Sequence, residues 1–187
     1  MRHLNKFFAA LLLVAASSTN VFAVDAADCR EALATFKGLG NVDELLAQSV
    51  GYAILPTIGK AGIGIGGAGG SGCVYKGGAQ TGTVKMGQVT IGWQLGGQAY
   101  SQLILFKTND VYKEFTTGEF EFGVQATAVA LTYGANAEAG TKGASSTAGE
   151  TKGKAGWERG MAVFTVAKGG LMYEASIGGQ KFNYKPL

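Results

Sequence analysis

Histidine, cysteine and paired carboxylates commonly provide catalytic groups and metal ligands, and this chain has few of them. Its one histidine is His3. A Ser-His-Asp or Cys-His nucleophile needs an imidazole as its base, and many zinc sites need one as a ligand. Two cysteines, Cys29 and Cys73, cannot replace those ligands. The composition therefore predicts no metal site and no imidazole-based catalysis.

The acidic residues are scattered, and their nearest cluster is Glu119-x-Glu121. The flanking aromatic residues give this cluster the pattern of a solvated strand edge. Two carboxylates that meet in space can hydrolyse glycosidic bonds, so a hydrolase stays as an alternative. We expect the chain not to be an enzyme and to use no cofactor.

A glycine-rich tract matches the G-x-G-x-x-G pattern twice, at Gly62-Gly64-Gly67 and at Gly64-Gly66-Gly69. A dinucleotide site needs a strand before this pattern and a helix after it. Here apolar residues alternate with Gly62, Gly64 and Gly66, which is the period of a strand, and no helix follows. We therefore predict no nucleotide site, but a structural glycine strand with one face open to another backbone or an aromatic ring.

The first 23 residues have the three parts of a secretory signal peptide. Arg2 and Lys6 are basic, residues 7–16 are apolar, and Ala23 ends a small-residue cleavage pattern. A membrane-spanning helix needs about 20 apolar residues, twice the length of this run. We predict a signal peptide at 1–23 and one domain at 24–187, exported to the periplasm and peripheral on a membrane.

Cleavage would also change the charge of the chain. Without Arg2 and Lys6, 14 basic residues (16 minus 2) face 13 acidic ones, and His3 is lost. No clustered basic face remains to predict a nucleic-acid partner. An oxidising compartment favours a disulfide between Cys29 and Cys73, with two buried thiols as the alternative.

Two helices are predicted at the start of the domain, and a third later. The first begins near Asp28 and ends at Gly38, the second begins at Asn41, and Thr108 caps the third. Asp, Asn and Thr accept hydrogen bonds from the free amide groups of a first helical turn.

The remaining segments alternate like strands. They lie at 60–75, 83–91, 98–106, 124–133, 161–167, 171–177 and 182–184. Lys168-Gly169-Gly170 predicts a tight hairpin turn, and residues 134–156, which lack large apolar side chains, predict a flexible loop. The fold class is α+β: a mostly antiparallel sheet of six or seven strands with about three short helices.

Several blocks, in order, resemble the SYLF-domain family. They are Gly51–Pro56, Lys60–Gly62, Gln88–Gln98, Leu103–Phe106 and Ala167–Gly179. The resemblance implies lipid binding, since eukaryotic relatives associate with phosphoinositide membranes and some bind actin, while bacterial relatives are exported. For an exported chain with acidic as well as basic N-terminal helices, it implies other anionic phospholipids as the partner.

A membrane contact needs an apolar wedge beside cations. The candidates are Phe36, Lys37, Leu39, Val42 and Lys60. The alternative is that the apolar members pack the helices onto the sheet. A second functional hypothesis is a structural or interaction protein of the cell envelope that acts through protein partners.

Overall fold

The computed structural model describes residues 24–122, 129–131 and 155–187. The predicted signal peptide, residues 1–23, lies outside the described residues. So does most of the predicted loop at 134–156, of which only Ala155 and Gly156 are described.

Three helices and five strands make up the described part of the chain. They are α1 (Ala26–Phe36), α2 (Val42–Gln48), β1 (Gly51–Lys76), β2 (Ala79–Phe106), α3 (Asn109–Thr116), β3 (Glu119–Phe122), β4 (Val129–Leu131) and β5 (Met161–Pro186). The strands form one sheet in the order β1-β2-β5-β3, antiparallel throughout, with short β4 pairing parallel to β5. The predicted fold class, a mostly antiparallel sheet with three short helices, is confirmed.

Three of the strands are far longer than the segments predicted for them. β2 joins the predicted strands 83–91 and 98–106 without a break, and β5 runs through 161–186. The hairpin predicted at Lys168-Gly169-Gly170 is wrong, since Gly169 and Gly170 pair with Ala99 and Gln98 inside the continuous strand. The Gly-Gly pair is a local turn signal, and the long-range pairing with β2 overrides it.

The helix starts follow side-chain caps, with one shift. α1 begins two residues before the predicted Asp28, because the carboxylate of Asp25 accepts a hydrogen bond from the Ala27 N–H at 2.9 Å. Thr108 caps α3 as predicted, accepting from the Val111 N–H. The side chain of Asn41 does not cap α2; it makes two hydrogen bonds with the backbone of Ala155, at 2.8 and 2.9 Å.

β1 folds back on itself, so its two ends lie together. The N–H of Gly77, just past β1, donates to the carbonyl of Val50, just before it, at 3.2 Å. Further in, Gly72 lies against the backbone of Ile54 so closely that a Cβ there would collide with the Ile54 carbonyl oxygen. These contacts centre the bend near Gly64, which has a left-handed φ of +72° and lies at a break in register with β2. Glycine suits that position because a Cβ would oppose this dihedral.

Two buried clusters hold the folded strands together. The first lies between the arms of the bent sheet and under α3, and includes Leu55, Val84, Phe106, Phe115 and Phe182. The second packs α1 and α2 onto the outer face of the sheet, and includes Phe36, Val42, Ile54, Leu103 and Phe164. A disulfide joins Cys29 of α1 to Cys73 of β1, and both residues are fully buried in the second cluster.

Candidate functional site

The structure separates the five predicted membrane-contact residues. Phe36 and Val42 are fully buried between the helices and the sheet, and Leu39 is half-buried against the same cluster. The apolar wedge predicted on the helices is therefore wrong for Phe36 and Val42, because the sheet covers the apolar side of α1 and α2. Lys37 is exposed, and Lys60 lies half-buried in the middle of β1.

Lys37 borders a shallow groove of about 290 Å³ between the helices and the β1–β2 turn. Leu33 and Leu46 form its helical side, and Tyr52 and Gly78 lie on the sheet side. The Tyr52 ring stacks on Tyr75 with the ring centroids 4.9 Å apart. Burial raises the pKa of Tyr52, and the neighbouring Tyr75 raises it further. Both tyrosines pack with the second buried cluster.

The most unusual surface of the described residues lies at the bend of the long strands. Among the described residues, six large aliphatic side chains are exposed: five lie in the middle of β1 and β2, and the sixth is Leu187. We call these five residues the bend patch: Ile63, Ile65, Val89, Ile91 and Leu95. Single exposed apolar residues are normal on a protein surface, whereas a cluster marks an interaction site.

Strand pairing brings the members of the bend patch together. Ile65 lies directly opposite Ile91, and Ile63 lies opposite Leu95. Directly opposed residues of an antiparallel pair have their side chains on the same face, with Cβ atoms about 5 Å apart. Thr90, between Val89 and Ile91, is buried on the other face. The patch is therefore one apolar surface formed by two neighbouring strands.

Lysines lie at both margins of the bend patch. At one end of the patch, Lys60 lies opposite Gln98, whose other partner Gly170 lies two residues after Lys168. Lys60 is three residues from Ile63, so its side chain lies on the other face of β1. The ammonium group of Lys168 donates to the Pro56 carbonyl at 3.2 Å and to the Thr57 hydroxyl at 3.0 Å, which fixes its position.

The other margin carries Lys85 and Lys181. Lys181, opposite Gly87, makes ion pairs with Glu119 at 2.9 Å and with Glu121 at 3.7 Å. The hydrogen bond to Glu119 raises the pKa of Lys181, and both groups are exposed.

The predicted glycine strand is part of β1 and includes the bend at Gly64. Gly62, Gly64 and Gly66 lie in β1 at the bend, and a Cβ at Gly64 would meet no other atom within 4 Å. The close backbone approach occurs at Gly70 and Gly72, later in the same tract. A Cβ at Gly70 would lie 2.6 Å from the Thr57 carbonyl oxygen.

Within the described ranges, no group of three or more His, Cys, Asp or Glu residues could hold a metal ion. No helix in those same ranges has the length and apolar character needed to cross a membrane. The candidate site is the apolar surface formed by the bend patch.

The family comparison covers the β2 part of this surface. The Ysc84 family, described as Las17-binding protein actin regulator, has a model that matches residues 87–185, which is 99 of the 187 residues. The chain belongs to the Ysc84 family. This assignment confirms the predicted SYLF-domain resemblance. A search of curated proteins found no match.

The Ysc84 match takes in the β2 half of the bend patch, all of α3 and nearly all of β5. The helices that carried the predicted contact residues lie before it. Sequence reasoning missed Ile63, Ile65, Val89, Ile91 and Leu95 as surface residues. One signal was present: from Ala61 to Tyr75 the chain has no charged residue, although half of any exposed strand is usually polar.

Proposed function

We propose that this Ysc84-family chain is an exported, non-catalytic module that binds anionic phospholipid membranes through the bend patch. The observation that carries the proposal is the exposure of five clustered aliphatic side chains, with the lysines Lys60 and Lys85 farther along the same two strands. A membrane with an anionic headgroup layer above an apolar interior is complementary to both features.

The magnitudes fit a reversible attachment. Full transfer of one Val, Leu or Ile side chain out of water contributes roughly 1.5–3 kcal/mol, and each lysine near an anionic surface adds about 1 kcal/mol. Part of this gain is offset by the entropy lost when the protein is held at a surface. The lysine contribution must fall as salt screens the surface potential.

Vesicle co-sedimentation tests lipid binding. Purified protein is mixed with neutral vesicles of phosphatidylcholine and with vesicles containing phosphatidylserine or phosphatidylglycerol, at low and high salt. We expect binding to the anionic vesicles that weakens at high salt. Absence of binding to both vesicle types at low salt would refute the proposal.

Matched variants locate the contact. Ile65→Ser and Ile91→Ser together remove two opposed members of the bend patch, and Leu187→Ser removes an exposed aliphatic side chain outside it. The double variant should bind anionic vesicles about tenfold more weakly, whereas Leu187→Ser should bind like the unmodified protein. Equal loss in both variants would place the contact elsewhere.

Export is supported by the signal-peptide pattern and by the disulfide between Cys29 and Cys73, since disulfides persist mainly in oxidising compartments. Cell fractionation followed by N-terminal sequencing tests it. We expect the protein in the periplasmic or membrane fraction with Val24 as its first residue. A cytoplasmic protein that begins at Met1 would contradict export.

A second candidate function is binding to a protein partner of the envelope. The description of the family as a Las17-binding protein actin regulator favours it, because that description names a protein partner. Chemical crosslinking in intact cells discriminates the two candidates. One dominant protein adduct that the Ile65→Ser/Ile91→Ser variant loses would favour a protein partner, and its absence together with vesicle binding would favour lipid.

A further inference from the structure

We propose that the disulfide between Cys29 and Cys73 is a redox latch for the first half of α1, residues 26–31. While the disulfide is closed, this half covers part of the outer face of β1. After reduction to two thiols it leaves that face, and the sheet and α2 stay folded. The latch is closed in an oxidising compartment and open in a reducing one. The inference concerns α1 rather than the bend patch, and it does not depend on lipid binding.

The first half of α1 has one buried residue, and that residue is half of the disulfide. Among the first six residues of α1, all but Cys29 are exposed or half-buried. The Sγ atom of Cys29 lies 4.0 Å from the Ile54 carbonyl oxygen, and that of Cys73 lies 4.0 Å from the Asp25 carbonyl oxygen. Phe36, the largest buried side chain of α1, is at the other end of the helix. Without the S–S bond, little buried apolar area holds the first half on the sheet.

The length of α1 makes its helical form depend on the sheet. α1 has 11 residues, and isolated helices shorter than about 12–15 residues are marginal in water. The Asp25 carboxylate caps its first turn by accepting a hydrogen bond from the Ala27 N–H, but this bond is exposed and water can replace it. Loss of the latch should therefore unfold the first half of α1 as well as release it.

The second helix is attached independently of the disulfide. Asn41, just before α2, makes two hydrogen bonds with the backbone of Ala155, at 2.8 and 2.9 Å. Gln48, the last residue of α2, accepts a hydrogen bond from the indole N–H of Trp157 at 3.2 Å. Gly38, between the two helices, has a φ of +79°, and glycine adopts many other backbone conformations as readily. The first half of α1 can therefore move while α2 stays in place.

Reduction requires the latch to open first, because Cys29 and Cys73 are both fully buried. A thiolate of a dithiol reductant attacks one protein sulfur, so the S–S bond breaks and a mixed disulfide forms. The second thiolate of the reductant then displaces the protein sulfur from the mixed disulfide. The protein gains two electrons and two protons as two thiols, and the reductant becomes a cyclic disulfide. The rate of reduction therefore reports how often the first half of α1 opens.

Matched cap variants test this opening step. Asp25→Ala removes the cap of α1, and Thr108→Ala removes the cap of α3, which is the control. Each folded protein is treated with dithiothreitol, its thiols are trapped by alkylation at intervals, and they are counted by mass spectrometry. Asp25→Ala should be reduced about fivefold faster than the unmodified protein, and Thr108→Ala at the unmodified rate. Equal rates in all three proteins, or equal acceleration in both variants, would contradict gating by α1.

Amide hydrogen exchange measured by mass spectrometry tests the open state. The oxidised protein, the reduced protein and Cys29→Ala/Cys73→Ala are compared, so that loss of the bond is separated from any effect of the reductant. In the two proteins without the disulfide, exchange in residues 24–36 should be about tenfold faster or more, because the helical hydrogen bonds open locally. Exchange in α2 and in the buried segments of β1 and β2 should be unchanged.

Two exchange results would overturn the latch. Unchanged protection of α1 after reduction would make the disulfide a passive crosslink. Loss of protection in the strands as well as in α1 would mean that the disulfide supports the whole fold. Re-oxidation should restore the protection of α1, and a failure to restore it would contradict a reversible device. None of these results bears on vesicle binding, which is measured separately.

Discussion

The buried and exposed segments of β1 and β2 have opposite environments. In β2, residues 101–106 are buried, and Val89, Ile91 and Leu95 are exposed although they are as apolar. Residues 103–106 are covered on one face by the first buried cluster and on the other by the cluster beneath α1 and α2. No described element covers the exposed face at the bend. The difference shows that an apolar residue in a strand is buried only where a second layer of structure covers it.

Removing one large side chain from each region of β2 should give the largest difference in stability. Phe106 is fully buried against Phe115, with ring centroids 4.7 Å apart, so Phe106→Ala should lower the free energy of unfolding by about 3–5 kcal/mol. Ile91→Ala should change it by less than about 0.5 kcal/mol, because the side chain is exposed. Urea unfolding measures both.

Vesicle binding should give the reverse order for the same pair. Ile91→Ala is expected to weaken binding, and Phe106→Ala to leave it intact under conditions where the variant is folded. If Ile91→Ala costs as much stability as Phe106→Ala, the bend is part of the core and the contrast between the regions fails.

The disulfide belongs to the packed ends, where it joins α1 to β1 across 44 residues of chain. Cys29→Ala/Cys73→Ala should lower the free energy of unfolding by about 2–4 kcal/mol, because the unfolded chain regains conformational freedom. Denaturant unfolding of the double variant, compared with the unmodified protein before and after reduction, measures this. A loss of vesicle binding in the folded double variant would link α1 to the bend and contradict their independence.

Substitutions of glycines in the glycine-rich tract should affect stability differently, depending on whether the two arms of β1 meet at that glycine. A Cβ at Gly72 would collide with the Ile54 backbone, so Gly72→Ala should cost about 1–3 kcal/mol through displacement of the two arms. Gly69→Ala is the matched control, since a Cβ there would lie 3.6 Å from the Met86 carbonyl oxygen, an ordinary contact. Thermal unfolding should show a clear fall in Tm for Gly72→Ala alone. Equal shifts in both variants would mean that the arms do not approach as described.

Alkaline pH should produce the smallest effect, and it should arise in the packed ends. Burial raises the pKa of Tyr52, Tyr75 and Tyr184 above the ordinary value of 10.0. The unfolded chain therefore loses these protons at lower pH than the folded one. Stability should be unaffected by these groups below pH 10 and should fall as the pH rises through the folded pKa values.

Urea unfolding at a series of pH values from 8 upward measures this dependence. Tyr52→Phe should reduce the fall in the free energy of unfolding with pH above pH 10. If the fall is unchanged in this variant, Tyr52 does not contribute to it. Vesicle binding through the bend should not follow the titration of these tyrosines.

Much of the local structure could be predicted from the sequence. Thr108 and Asn41 indicated where α3 and α2 begin. The alternation of apolar with polar or glycine residues indicated which segments form the sheet. Strand lengths could not be predicted, because the glycines at 96–97 and 169–170 are compatible with turns as well as with strands. Only pairing with a neighbouring strand, which is a long-range interaction, distinguishes the two.

The candidate site was harder to predict for a related reason. Phe36 and Ile65 have similar apolar character, and each follows a pattern that suits either a core or a surface. Phe36 is buried because the sheet lies beneath α1, whereas Ile65 is exposed because the bend carries it beyond the second layer. Neither fact is local to the residues concerned.

The sequence by itself determined the fold class, the family and the scarcity of groups for imidazole or metal chemistry, because these depend on residue types and short-range periodicity. Only the tertiary structure decided which apolar residues face the outside, because that depends on where β1 folds back at Gly64 and on which layers then cover its ends. The sequence suggested an exposed apolar surface on the helices, whereas in the structure the helices are packed on the sheet and the bend is exposed.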